Sequence, residues 1–120
     1  MPQIRLINIY VSDLEQAKLW YCEILGFELA QDLPPLAAQL KHEGIILLLH
    51  KAERPTESTF WTDSMVTLAI PTDDIRKDIA ELRNKNVELL HDEPQYSPFG
   101  DWIAFKDPFG NVLELVQFER

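Results

Sequence analysis

Cysteine is almost missing from these 120 residues: Cys22 stands alone, so no internal disulfide can form. With 46% hydrophobic residues the chain can instead bury a core of its own. Long apolar runs are missing too. The longest uninterrupted aliphatic stretch is Ile45 to Leu49, far short of the about 20 residues a membrane-spanning helix needs. Met1 to Leu6 shows no charged-then-apolar signal pattern, and a cytoplasmic protein with no membrane partner is expected. Basic residues are scarce: 11 Lys and Arg stand against 20 Asp and Glu, a formal charge of -9 that argues against nucleic acid as a partner. The same acidity mildly favours cationic ligands, and it also serves solubility. There is no Gly-rich phosphate loop, nucleophile elbow or zinc-spaced Cys cluster, and Cys22 has no identifiable base.

What the chain does have is an internal repeat. Phe105-Lys106-Asp107-Pro108-Phe109-Gly110-Asn111-Val112-Leu113-Glu114-Leu115 has a degenerate copy ending in Gly44 to Leu49. Gly44 falls on Gly110, Ile46 on Val112, Leu47 on Leu113 and Leu49 on Leu115. The odd pair is Leu48 against Glu114. Upstream, Leu25-Gly26-Phe27-Glu28-Leu29-Ala30-Gln31-Asp32 matches Lys85-Asn86-Val87-Glu88-Leu89-Leu90-His91-Asp92. Gly26 and Asn86 are residue types that accept the left-handed conformation just past a helix end. Ile4 to Val11 matches Ser64 to Ile70. Caps, turns and strands agreeing in one order indicate duplication of a unit made of strand, helix and three strands.

In the first unit, Ile4 to Val11 alternates as a strand, with Ile7, Ile9 and Val11 on one face and Leu6, Asn8 and Tyr10 on the other. Ser12 with Glu15 reads as a capping box opening a helix over about 13–25, whose inner stripe is Leu14, Ala17, Trp20, Tyr21 and Ile24. Strands are expected at Phe27 to Gln31, Leu36 to Leu40 and Ile45 to His50. Residues 53–63 suit a linker, although Phe60 and Trp61 break its polar pattern and should pack onto something. The second unit is expected as a strand at Met65 to Ile70, a helix from Asp73 or Asp74 to about Asn84, and strands at Val87 to Leu90, Trp102 to Lys106 and Val112 to Phe118. Asp107-Pro108-Phe109-Gly110 carries the preferred residues of a type I turn.

Val11-Ser12-Asp13-Leu14, Trp20-Tyr21 ahead of Leu25-Gly26-Phe27, and Phe105 through Leu115 resemble the signature segments of the vicinal oxygen chelate superfamily, the group of glyoxalase I, bleomycin resistance proteins and extradiol dioxygenases. The resemblance implies an α+β fold: two tandem βαβββ modules, about 1–52 and 64–120 of a single domain, forming a curled eight-stranded sheet around a cup. It also implies four metal-ligand positions, on the first and last strands of each module. Here they fall on Leu6, Met65, Leu48 and Glu114. One carboxylate among three apolar side chains does not hold a divalent transition metal tightly, so no metal and no cofactor is expected.

His50 shares strand parity with Leu48 and is expected at the rim of the cup. His42 and His91 show no ligand-like spacing with it. Glu114 is either a carboxylate satisfied by water, Asn8 or Thr67, or a partly desolvated group acting as general base or anchor for a cation. Trp61, Trp102, Tyr96 and Phe99 would surround the cup mouth and Tyr10 would face into it, offering stacking surfaces. The expected ligand-binding set is therefore Leu6, Asn8, Tyr10, Leu48, His50, Met65, Thr67, Trp102 and Glu114. The reading that follows is a metal-free, homodimeric binding protein, similar to bleomycin resistance proteins, that sequesters a planar or cationic small molecule. Two alternatives stand beside it: a glyoxalase-type isomerase or lyase using Glu114 with a weakly held metal or no metal, and a structural or regulatory subunit with a vestigial cup.

Overall fold

Residues 1–119 are described by a computed structural model, in which the chain divides into two compact units, Met1–Pro55 and Thr56–Arg120. The period-two pattern of the first segment becomes β1 (Leu6–Val11), which runs parallel to β4 (Ile46–Lys51). Between them in sequence come β2 (Leu29–Leu33) and β3 (Ala37–Leu40), antiparallel to each other, with β3 antiparallel to β4. The sheet order is β1-β4-β3-β2. Ile9, Val11, Ala38, Leu40, Leu47 and Leu49 are buried, on the face where helix α1 (Leu14–Leu19) packs over β3 and β4. The opposite face carries Leu6, Asn8 and Tyr10 of β1 with Leu48 and His50 of β4, since successive side chains alternate across a strand.

Asp13, not Ser12, caps α1: its backbone is extended and its carboxylate accepts from the Gln16 N–H at 3.0 Å. An acidic cap also meets the positive end of the helix dipole, which favours it over the neighbouring hydroxyl. The expected single helix to residue 25 instead widens after Leu19 into a π-helical turn, Trp20–Ile24. Tyr21 within that turn is fully buried, its ring 5.0 Å from Trp20 and 6.2 Å from Phe27. Gly26, at φ +85°, ends the helical run as its residue type foretold.

The second unit repeats the plan. β5 (Leu68–Pro71) is followed by α2 (Ile75–Asn84), β6 (Glu88–Leu89), β7 (Gly100–Lys106) and β8 (Val112–Phe118), and the sheet order is β5-β8-β7-β6. Asp74 caps α2 by accepting from the Lys77 N–H at 3.2 Å. Ile75, Ile79 and Leu82 form its buried stripe, and α2 packs against β7 and β8. Asn86 takes φ +60° just past the helix, in the place Gly26 holds in the first unit.

In both sheets the first and last strands of the module pair in parallel at the centre-to-edge position, so each βαβββ unit completes its own ladder. The expected eight-stranded sheet is accordingly two four-stranded sheets. Leu48 and Glu114 occupy matching places, each the third residue of its module's last strand. Among the described residues, no helix is long and apolar enough to cross a membrane.

Candidate functional site

Register defines the face of the second sheet opposite α2. Glu114 lies across from Ala69 on one side and Ala104 on the other, and Trp102 lies across from Val116. Trp102 and Ala104 are two apart on β7, and Glu114 and Val116 two apart on β8, so all four side chains leave the same face. Of the two alanines beside Glu114, Ala104 is fully buried and Ala69 is exposed. Trp102 is the hub of an aromatic cluster: Trp61 lies 6.0 Å away, Phe60 6.3 Å and the His91 ring 5.1 Å edge-on. Phe60 and Trp61, which interrupt an otherwise polar segment, thus do pack onto something, and it is Trp102.

Trp61 is unusual in two respects. Its backbone is left-handed at φ +68°, a conformation costly for a bulky side chain, and it remains 80% exposed. A short turn holds it there. The Thr59 N–H donates to the Asp63 carboxylate at 2.7 Å, while the N–H groups of Thr62 and Asp63 donate back to the Thr59 carbonyl.

His91 belongs to this site although spacing did not select it. Strand β6 pairs with β7 only through Glu88 and Leu89; the Leu90 N–H then reaches the Ala104 carbonyl, and the chain swings out before Gln95 returns to pair with Trp102. That leaves the Ala104 N–H without a strand partner, and His91 Nε2 accepts it at 3.0 Å. The other ring nitrogen, Nδ1, lies 2.8 Å from the Glu93 carbonyl. A backbone N–H must point at a lone pair, so Nε2 is the acceptor there and Nδ1 is the nitrogen left to donate to the Glu93 carbonyl. An imidazole therefore completes the ladder and forms one wall of the site. The only sequence cue was a histidine just past a strand.

Burial raises the Glu114 carboxyl above the usual carboxylate range, and the charge His91 can carry pulls it partly back. Burial is the stronger of the two effects. A raised folded-state pKa means the folded protein binds its proton more tightly than the unfolded chain. The resulting stabilisation is fully present below the ordinary value of 4.5 and is lost as pH rises through the raised folded value. Glu114→Gln is thus expected to raise the melting temperature at pH 7, with the gain shrinking as pH falls through the raised folded value and gone below about 4.5. Thermal scans of both proteins across pH 3.5 to 8 check this, and an identical offset at every pH would refute it.

The remaining sequence-selected residues divide by unit. Leu6, Asn8, Tyr10, Leu48 and His50 do share one face of the first sheet, with Asn8 across from Leu48 and Tyr10 across from His50. The Tyr10 and His50 rings are 5.2 Å apart, and His50 Nδ1 lies 3.0 Å from the Lys51 carbonyl. Met65 and Thr67 are half-buried and precede β5, which starts at Leu68 rather than Met65. The residue across from Glu114 is Ala69, so the match of the two first strands slips by two positions. The strand also runs one residue past the expected end at Ile70, to Pro71, which is tolerated because β5 is an edge strand that can do without that N–H. Tyr96 and Phe99 lie exposed on the loop before β7, outside the aromatic cluster.

The model of the Glyoxalase/Bleomycin resistance protein/Dioxygenase superfamily matches residues 3–115. The chain belongs to this superfamily. Among solved structures, the superfamily chain resembles TnmS3, an antibiotic binding protein from Streptomyces sp. CB03234, at 31% identity over 99% of this chain and 98% of that one, with a TM-score of 0.72. It shares the fold of the fosfomycin resistance protein FosX from Listeria monocytogenes, at 14% identity over 99% and 93% of the two chains and a TM-score of 0.78. The uncharacterized protein YetH of Bacillus subtilis (strain 168) is 28% identical over 98% of this chain and 99% of its own.

The metal used by metal-dependent members of the superfamily does not suit the donors found here. His91 acts electrostatically on Glu114, but both His91 nitrogens are engaged by the backbone. Among the described residues no group of three or more His, Cys, Asp and Glu side chains is placed to hold an ion. Structural and catalytic sites take three or four such ligands.

Proposed function

We propose that this superfamily member is a metal-free binding protein that sequesters a planar or cationic organic molecule, with Trp102 and Trp61 as stacking surface and Glu114 as counter-charge. The observation that carries the reading is Trp61, held exposed in a strained left-handed backbone against Trp102. Strain of that kind persists where surrounding structure and use both demand it. The similarity to an antibiotic binding protein supports the same reading. On the first unit, Tyr10, Leu48 and His50 offer a second apolar and aromatic surface. Leu6, Tyr10 and Ile46 there are exposed, which supports a homodimer in solution.

A second reading, proton transfer by a glyoxalase-type isomerase or lyase, is favoured by the raised carboxyl of Glu114. One experiment separates them. The protein is equilibrated with a panel of planar amines and neutral isosteres, binding is measured by calorimetry, and the ligand is recovered for mass spectrometry and chromatography. Sequestration gives saturable binding with the ligand unchanged. Recovery of an isomer or cleavage product would transfer the site to the second reading, and no binding across the panel would refute both. Light scattering at micromolar concentration is expected to report a dimer.

A further inference from the structure

The two hairpins that close the two modules have loops of the same length but different work. In the first, Lys41-His42-Glu43-Gly44-Ile45 joins β3 to β4; Gly44 takes φ +85° and a side chain added there would meet nothing within 4 Å. In the second, Asp107-Pro108-Phe109-Gly110-Asn111 joins β7 to β8, and Gly110 takes nearly the same φ, +88°. A Cβ at Gly110, however, would lie 2.3 Å from the Thr56 carbonyl oxygen. The Thr56 N–H in turn donates to the Phe109 carbonyl at 2.9 Å. A hairpin needs neither contact, because the first module turns without them.

We infer that the second hairpin loop is the anchor of the strap 56–63, and that Gly110 is the positioning residue that sets Trp61 against Trp102; this rests on the aromatic site being the binding site. The chain of contacts is continuous. Buried Asp107 holds the loop by accepting from the Phe109 and Asn111 N–H groups, which fixes where the Phe109 carbonyl points. That carbonyl takes the first residue of the strap, and the missing side chain at Gly110 lets the strap backbone sit flush on the loop. Within the strap, the Thr56 hydroxyl reaches Ser58, and the Thr59–Asp63 turn then presents Phe60 and Trp61. With the strap lifted, the ring contacts of Phe60 and Trp61 with Trp102 would be left without a backbone anchor to hold Trp61 at 6.0 Å.

The test reads two signals: the circular-dichroism couplet of two neighbouring indoles, and affinity for 9-aminoacridine, a planar cation. Trp61→Phe defines the couplet, and Trp61→Ala defines the affinity lost with the stacking surface, roughly tenfold. Gly110→Asn tolerates the left-handed backbone but adds the clashing Cβ, and Thr56→Pro removes the N–H donated to Phe109. Both are expected to abolish the couplet and to weaken 9-aminoacridine as much as Trp61→Ala does. Gly44→Asn, at the matching place in the first hairpin, should leave both signals intact. A couplet that survives in Gly110→Asn and Thr56→Pro overturns the inference, and so does its loss in Gly44→Asn. Should Gly110→Asn fail to fold, Thr56→Pro decides alone. If the wild type binds no 9-aminoacridine, the functional reading loses its support while the couplet still decides the anchoring.

Discussion

Alanine at position 107 is expected to destabilise the protein by about 3 kcal/mol, which for a chain of this size lowers the melting temperature by roughly 10 °C. Asp107 is the one charged side chain in the buried set among the described residues, 4% exposed. Its Oδ1 accepts from the Phe109 N–H at 2.9 Å and the Asn111 N–H at 2.8 Å, and its Oδ2 accepts from Asn111 Nδ2 at 2.8 Å. Hydrogen bonds to a charged acceptor contribute about 1.5 to 3 kcal/mol each, and removing the acceptor strands donors that are partly out of water. Asn111 is only half-buried and recovers some hydration, so the total stays below the sum of three such bonds. Urea unfolding of Asp107→Ala beside Lys41→Ala makes the comparison internal. Lys41 holds the matching place in the first hairpin, exposed and 3.7 Å from Glu28, and its loss should cost under about 0.5 kcal/mol. Equal costs at the two positions would refute the special standing of the second loop.

How much of this was open to reading from residues alone depends on the range of the forces involved. Local signals carried well: Gly26 and Asn86 take the left-handed backbone their types allow, α2 spans the helix expected after Asp73 and Asp74, and β8 spans Val112–Phe118 as anticipated. The duplication placed Leu48 and Glu114 in matching positions because ladder register follows from strand order and parity. Competition between adjacent residues of similar chemistry was not legible, which is why Ser12 was read as the cap where Asp13 is. Long-range pairing was not legible either. Pro71 joins an edge strand only because β5 happens to be an edge, and His91 enters the site only because β6 stops early and leaves one N–H on β7 to be filled. Nothing local to Pro71 or His91 records those facts. The two-sheet hydrogen bonding, against one expected eight-stranded sheet, is a third case: which strands become edges is decided by tertiary pairing.

Removing the charge of Glu114 should separate the two attractions that the proposed site combines. A carboxylate flanked by Ala69 and Ala104 and partly withdrawn from water attracts a cation more strongly than an exposed one, because solvent screens it less. Glu114→Gln keeps the shape while deleting that charge, so 9-aminoacridine should lose roughly tenfold or more in affinity while its neutral isostere acridone changes little. Trp102→Ala removes the hub on which Trp61, Phe60 and His91 lean, and with it the stacking face. Stacking acts on both probes alike, and contact of a cation with a ring adds about 0.5 to 2 kcal/mol for the charged one. Trp102→Ala is therefore expected to weaken both, the cation more. Calorimetry on the wild type and the two variants with the two probes gives a complete cycle. If Glu114→Gln leaves the cation's affinity intact, the carboxylate is not the counter-charge. A partly desolvated carboxylate that binds no cation would then point to proton transfer as its use, because its raised pKa suits a base and its desolvation offers nothing to a neutral ligand.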